Sequence, residues 1–430
     1  MKVRSSIRLR YAIAILAGAA LVAGALAIKA PDPDALAMAT MILRPSVESS
    51  TLQEIPASQA ILTPDVDAAC AEAARAREKT FTVLVAGDIL LARTPGKRAG
   101  QYGFRYLFEG VKELVSSADI AFANLETPAS YLGVPYPGKP ENVTFRADPA
   151  TLFGLSWSGF DVLSLANNHA NDYGPRALEE TLDYLELLGI EKSGAGRNIE
   201  DARKPALLYR DGASFAFLAY AVPGYSIVGA AGSMAGAALT RSEEKLHGPI
   251  PPPLPVANPD SPRNQGTGVA LATPDAVIAD IQKIKNSVDP DYLFVSIHWG
   301  EEHQRIPGTA QRLLGRAAID AGASAVLGHH PHVLQPVERY HGGLIIYSLG
   351  NFIFDMAAAT TYETAAISLV LSGGRLVRAD IIPLRIGKDT YAPALASPSD
   401  ADARLKDLAR WSARFDTEII IKKSTGQVYF

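Results

Sequence analysis

The chain has 430 residues, 48% of them hydrophobic, which suffices for one large domain or two smaller ones. Charged residues make up 20% and the formal net charge is -4, with no dominant basic stripe, so no nucleic-acid partner is expected. The single cysteine, Cys70, excludes an intramolecular disulfide and any structural zinc site built on cysteine clusters.

The first ten residues carry Lys2, Arg4, Arg8 and Arg10 and no acid. An uninterrupted apolar run follows from Tyr11 to Ile28, roughly 18 residues and near the lower limit for crossing a bilayer. The basic flank belongs in the cytoplasm, which predicts that everything after Lys29 lies outside, on a single-pass anchor in the cell membrane. Ala25-Leu26-Ala27 has the small-x-small form of a cleavage site, so a cleaved signal peptide and a secreted or periplasmic domain is the alternative. The length of the run favours the uncleaved anchor. Residues 1–29 are thus an anchor or signal segment. Residues 30–78, rich in Ala, Pro, Asp and Ser, read as a tether with a short helix around Cys70.

The folded domain is expected over residues 79–390. Phe81 to Ala86 has the pattern of a buried strand. Similar short apolar runs recur at Ile120–Ala123, Val162–Ala166, Ser214–Tyr220, Tyr292–Ile297, Ala325–Leu327 and Leu344–Tyr347. Helical periodicity appears at Arg176–Leu188, ended by Gly189, and at Pro274–Ile284 and Thr309–Ala321. Strands alternating with helices predict an α/β domain with covered sheets. Residues 222–267, rich in Gly, Ala and Pro, form a loop insertion that breaks this rhythm. Residues 391–430 read as a C-terminal extension packed on the domain, with a helix over Asp400–Phe415 and a strand near Ile419–Lys422.

Polar, metal-competent residues follow one strand after another. They are Asp88; Asn124 and Glu126; Asn167, Asn168 and His169, with Asp172 close behind; His298; and His329, His330 and His332. In α/β sheets, ligands bind in the crevice beyond the carboxyl ends of the strands. Carboxylate, imidazole and amide-oxygen donors together suit Mn, Zn or Fe better than Ca. Two such ions can hold an oxyanion and activate water, Glu126 is a natural bridge between them, and a nearby imidazole can protonate a leaving group. Pro331 is expected to hold His330 extended, so that His330 and His332 converge from one loop. Asp88, Asn167 and Asn168 also suit turns, and His169 and His298 suit a core. His303, His341 and His247 read as surface residues. Gly194-Ala195-Gly196 lacks the full phosphate-loop fingerprint, and no Gly-x-Ser-x-Gly elbow occurs.

The segments VLVAGDILLAR, ANLETP, LSLANNHANDYG, VSIHWGEEH, VLGHHPHVLQPVE and YSLGNFIFD together resemble, in order, the signature set of the CapA/PgsA capsule-synthesis family. The resemblance covers about Thr80 to Pro383. It implies the calcineurin-like metallophosphoesterase fold, a four-layer α/β/β/α sandwich in which two sheets pack face to face with helices outside. It also implies work on an anionic capsule polymer, notably poly-γ-glutamate, or on a phosphoester, alongside other capsule-synthesis membrane proteins. The chemistry implied is metal-dependent hydrolysis. The alternative is a non-catalytic accessory that binds the polymer and helps export it.

By the same resemblance, Asp88 is a ligand of the first of two divalent ions and Glu126 is the bridging acid. Asn168, His298, His330 and His332 are the remaining ligands, and His169 is the general acid. Asn124, Asn167, Asp172, Glu302, His329 and Asn351 are candidates to line the pocket or to support the ligands. Position 90 departs from the wider superfamily, which has Asp-x-His in its first motif; here it is Leu90, so the first ion has one imidazole fewer.

Overall fold

A computed structural model describes residues 79–222 and 267–430. The expected anchor, the tether with Cys70, and nearly all of the 222–267 insertion, His247 included, lie outside the described residues. Among the described residues no helix is long and apolar enough to cross a membrane.

The strands are β1 (Thr80–Ile89), β2 (Ile120–Leu125), β3 (Val162–Ser164), β4 (Glu191–Ser193), β5 (Ala195–Gly196) and β6 (Ala206–Arg210). They continue with β7 (Ala213–Ala221), β8 (Gly268–Val269), β9 (Tyr292–His298), β10 (Ala325–His329), β11 (Val337–Tyr340) and β12 (Gly343–Ile346). The last six are β13 (Asn351–Ile353), β14 (Glu363–Ser372), β15 (Arg375–Ile386), β16 (Pro393–Leu395), β17 (Ile420–Lys422) and β18 (Thr425–Tyr429). The helices are α1 (Arg93–Tyr102), α2 (Lys112–Ser116), α3 (Leu152–Ser158) and α4 (Pro175–Leu187). After them come α5 (Ile199–Ala202), α6 (Pro274–Ser287), α7 (Thr309–Asp320) and α8 (Pro398–Ser412).

The described residues form a mixed α/β fold with two main sheets. The larger has ten strands in the order β17-β18-β15-β14-β1-β2-β3-β4, with β13 paired to β1 and β16 to β15. The smaller has six, in the order β11-β12-β10-β9-β7-β6. β1 to β4 run parallel, as do β7, β9, β10 and β12. Parallel strands covered on both faces read as continuous apolar runs, which is how the sequence showed them.

Side chains alternate between two cores. Phe81, Val83 and Val85 of β1 join Phe215, Phe217 and Phe294 of the smaller sheet in one buried cluster between the sheets. Within it, the rings of Phe122 and Phe217 stack at 5.5 Å. Leu84 and Ala86 face the other way, toward Leu155 of α3 and Leu178, Leu182 and Leu185 of α4. On the far side of the smaller sheet, Val277, Ile281 and Ile284 of α6 and Ala318 and Ile319 of α7 pack on Leu218 and Val295. Pro175 opens α4, where its fixed φ suits the first helical position, and Gly189 at φ 69° follows its end.

The C-terminal residues are part of the larger sheet. β18 pairs with β15 over Arg378–Ile381, and β17 pairs with β18. The site stands where the carboxyl ends of β1, β2 and β3 meet those of β9 and β10.

Candidate metal centre

Local backbone features aim the first acid. Between Val85 and Asp88, β1 carries one residue more than β2, a bulge that brings Asp88 opposite Asn124. Beyond the bulge Asp88 also pairs with Asn351 of β13. That approach requires glycine at position 87, because a Cβ there would stand 2.1 Å from the carbonyl oxygen of Gly350. Gly328 plays the same part before His329, where a Cβ would stand 2.2 Å from the oxygen of Tyr347.

The buried side chains form one network. Asn167 donates from Nδ2 to Asn124 Oδ1 at 3.1 Å and to the Leu125 carbonyl at 2.8 Å. Asn124 passes the orientation on, donating to Asp88 Oδ1 at 2.8 Å. His329 Nδ1 lies 3.1 Å from the same oxygen, and the His330 amide donates to Asp88 Oδ2 at 3.2 Å. His332 Nδ1 is 2.8 Å from Asn351 Oδ1, and Asn351 donates to the Thr361 carbonyl at 3.2 Å. His298 Nε2 is 2.9 Å from Asn168 Oδ1.

These contacts leave a set of donor atoms turned inward. Glu126 is fully buried and its Oε1 has no hydrogen-bond partner. Around that oxygen stand Nε2 of His298 at 3.7 Å, of His332 at 3.8 Å and of His169 at 3.9 Å. His329 Nε2 and His330 Nδ1 are likewise buried without a partner. Three overlapping sets have donor atoms within 4.8 Å of one another: Asp88, Glu126 and His332; Glu126, His298 and His330; and Glu302, His330 and His332. The first two share Glu126, as a bridging carboxylate would.

Electrostatics agree with a missing positive charge. Burial drives the Glu126 carboxyl well above its usual range, and the charges of Asp88, Glu302 and Asp172 add to this against a partial offset from Lys139. Burial also pushes Asp88 upward, but His329, His332 and Asn124 outweigh it and hold the group below the ordinary carboxylate range. His298 is held well below the ordinary imidazole range by burial and by the four neighbouring histidines, and His330 is lowered to about 4 by burial and His332. Neutral imidazoles around an uncompensated carboxylate are what a divalent cation needs. An orphaned buried carboxylate oxygen costs free energy that a cation recovers. The residues fit a metal ion.

His169 is held differently. Its Nδ1 is 2.8 Å from Asp172 Oδ2, which also accepts the Phe145 amide at 2.7 Å. A proton on Nδ1 suits the Asp172 carboxylate, although the Lys139 ammonium lies 3.3 Å from the same nitrogen, and Nε2 faces Glu126. Lys139 pairs with Asp172 Oδ1, both side chains being buried, and donates to the Asn168 carbonyl at 3.1 Å. Phe145 stacks on His169 at 4.1 Å between ring centres. Burial pulls His169 below the ordinary imidazole range, with Asp172 opposing and Lys139 adding to the shift.

The structure thus brings together Asp88, Asn124, Glu126, Asn167, Asn168, His169, Asp172, His298, His329, His330, His332 and Asn351. Glu302 stands at the rim, half exposed. Asn167 and Asn351 are braces within the network, and His329 spends Nδ1 on Asp88. His303 and His341 are exposed. One expectation is corrected. His330 is not extended before Pro331: its φ is 95°, and His332 follows at φ 56°. Hydrogen bonds from the His330 amide to Asp88 and from the His303 amide to the Pro331 carbonyl at 2.9 Å hold this unusual backbone. Sequence reasoning missed Lys139 and Phe145, which come from an irregular loop, and Phe354, whose ring lies 4.7 Å from His332.

Residues 82–356 match the family described as bacterial capsule synthesis protein PGA_cap. The capsule biosynthesis protein CapA of Bacillus anthracis is 29% identical over 326 residues, 75% of this chain and 71% of its own length. The PGA biosynthesis protein CapA of Bacillus subtilis is 29% identical over 345 residues, 80% of each chain. A protein of Mycobacterium tuberculosis named as a probable polyglutamine synthesis accessory protein is 26% identical over 315 residues, 71% of this chain and 76% of its own.

Proposed function

The chain belongs to the bacterial capsule synthesis protein PGA_cap family, and on that premise we propose that it is a metal-dependent hydrolase of capsule-polymer biosynthesis, of metallophosphoesterase type, acting outside the cytoplasm. Residues 1–29 hold it in the membrane in this reading, and its substrate is a phosphoester or an amide bond of an anionic poly-γ-glutamate-type polymer. Other capsule-synthesis membrane proteins are its natural neighbours. The observation that carries the proposal is Glu126 Oε1, buried and unpartnered, with three imidazole Nε2 atoms 3.7–3.9 Å away.

Asp88, Glu126 and His332 would hold one divalent ion, and Glu126, Asn168, His298 and His330 a second. Such ions, when bound, supply Lewis acidity toward a phosphoryl or carbonyl oxygen and activate water. The chain's own residues supply the rest. Asp172 fixes the His169 ring so that Nε2 faces the reaction space, where a proton on it can pass to a leaving group. Burial works against that second proton and Asp172 works for it. Leu90, Phe145 and Phe354 form an apolar cluster whose rings pack on His169 and His332.

A non-catalytic accessory that handles the polymer is the second reading. Leu90 favours it, since an apolar side chain at that position offers no donor.

The test is metal content and turnover of the full-length protein supplied with Mn2+, with an aryl phosphodiester and poly-γ-glutamate as substrates. The hydrolase predicts turnover that falls by about 10²–10⁴-fold in His169→Ala while the metal stays bound. Metal without turnover on either substrate moves the assignment to the accessory. A protein that takes up no metal ends the metal-centre reading. Membrane fractionation with N-terminal sequencing tests the anchor: an intact N-terminus in the membrane fraction is expected, and a soluble chain cut near Ala27 would replace the anchor with a signal peptide.

A further inference from the structure

Glu302 follows His298-Trp299-Gly300 on the loop after β9, and its side chain is 49% exposed. Its carboxylate still belongs to a set of donor atoms, with His330 and His332, that lie within 4.8 Å of one another. The loop that carries it is tied to the loop that carries the two imidazoles. The Trp299 amide donates to the His329 carbonyl at 3.1 Å and the His303 amide to the Pro331 carbonyl at 2.9 Å. Gln335 Nε2 donates to the Gln304 carbonyl at 2.7 Å. Gly300, at φ 82°, turns the chain into this loop against the Gln311 side chain, which stands 2.7 Å from where a Cβ would be. Glu302 is therefore held beside His330 and His332.

Charge balance points to the same residue. Two divalent ions bring four positive charges, and Asp88 and Glu126 supply only two negative ones, because neutral imidazoles and Asn168 add none. Asp172 is already paired with Lys139 and His169. Among the described residues, Glu302 is the further carboxylate whose oxygen groups with candidate ligand atoms, those of His330 and His332, within 4.8 Å. His330 Nδ1 and Glu126 Oε1, buried in the same space, lack partners. Across the site, position 90 contributes nothing, since Leu90 is packed with Ala92, Phe145 and Phe354.

We propose that Glu302 is a ligand of the metal centre, entering from the solvent side beside His330 and His332. This rests on the metal-centre reading. It makes the site richer in carboxylate than its histidines suggest and suits a hard divalent ion such as Mn2+.

The experiment is Mn2+ titration of chelator-stripped full-length protein by calorimetry, with bound metal counted by mass spectrometry. Wild type, Glu302→Gln, Glu301→Gln and Asp88→Asn are compared, and circular dichroism of each checks the fold. Glu302→Gln should lose one bound ion or bind it at least about 10-fold more weakly, the lower end of what even outer partners of a metal contribute. Glu301→Gln should match wild type. Wild-type stoichiometry and affinity in Glu302→Gln, with metal lost in Asp88→Asn, would overturn the role of Glu302 and leave the metal centre standing. A wild-type protein that binds no Mn2+ would overturn both.

Discussion

The Nδ1 atom of His332 lies 2.8 Å from Oδ1 of Asn351, and that contact turns Nε2 of the same ring toward Glu126. Asn351 stands on β13 directly beside Asp88 of β1, so one residue aligns a candidate ligand on β1 and another on the loop after β10. Replacing Asn351 by Ala removes the acceptor and frees the His332 ring to rotate. Mn2+ affinity should fall roughly 10–100-fold, as when other outer hydrogen-bond partners of metal ligands are removed. Calorimetric titration of the stripped protein checks this, with circular dichroism to show that the fold is kept.

Glu126 predicts a pH signature. Burial and neighbouring acids raise its carboxyl well above 4.5 in the folded, metal-free protein. The folded state then binds more protons than the unfolded state between 4.5 and the raised value, so this group lowers stability as pH rises through that window. Glu126→Gln abolishes the effect. The variant should gain stability relative to wild type as pH increases from about 5 to 8, measured by urea unfolding of stripped protein. Metal reverses the order, because a cation displaces the proton and stabilises wild type alone. A constant difference between the two proteins across this range would contradict the raised carboxyl.

Much of the fold was legible because parallel strands buried on both faces appear as apolar runs. β1, β2, β7, β9, β10 and β12 were all found this way, to within a few residues. β1 was placed too short, since its last residues lie past the bulge and pair with β13. The β14–β15 hairpin escaped notice. Apolar residues stand at some of its outward positions, Val370 and Val377 among them, and these blur the alternation that marks a strand. The inward-turned residues of the site were legible because each follows an apolar run. Lys139 and Phe145 were not, because nothing in an irregular loop marks a side chain that folds back under a histidine.

Gly87 should tolerate no side chain. A Cβ would stand 2.1 Å from the Gly350 oxygen, and that oxygen accepts the Asp88 amide at 3.1 Å. Backbone, unlike the tip of a flexible side chain, cannot step aside without separating β1 from β13. Gly87→Ala is expected to cost at least about 3 kcal/mol, the upper end of ordinary overpacking. Urea denaturation measures it, and wild-type stability in the variant would show that the two strands can part.

Lys139 and Asp172 form an ion pair with side-chain exposures of 7% and 1%. Removing one partner of a buried pair strands the other charge, and Lys139→Met should destabilise the protein by about 3–5 kcal/mol. The double variant Lys139→Met/Asp172→Asn leaves no stranded charge, and its amide oxygen can still accept from Phe145 N and His169 Nδ1. It should therefore be more stable than Lys139→Met alone. If the double variant is instead the less stable of the two, the Asp172 carboxylate is not stranded without Lys139, being sustained by Phe145 N and His169 Nδ1. The thermodynamic cycle of the two singles and the double, read by urea denaturation, decides between these because it isolates the coupling of the pair from the loss of either side chain.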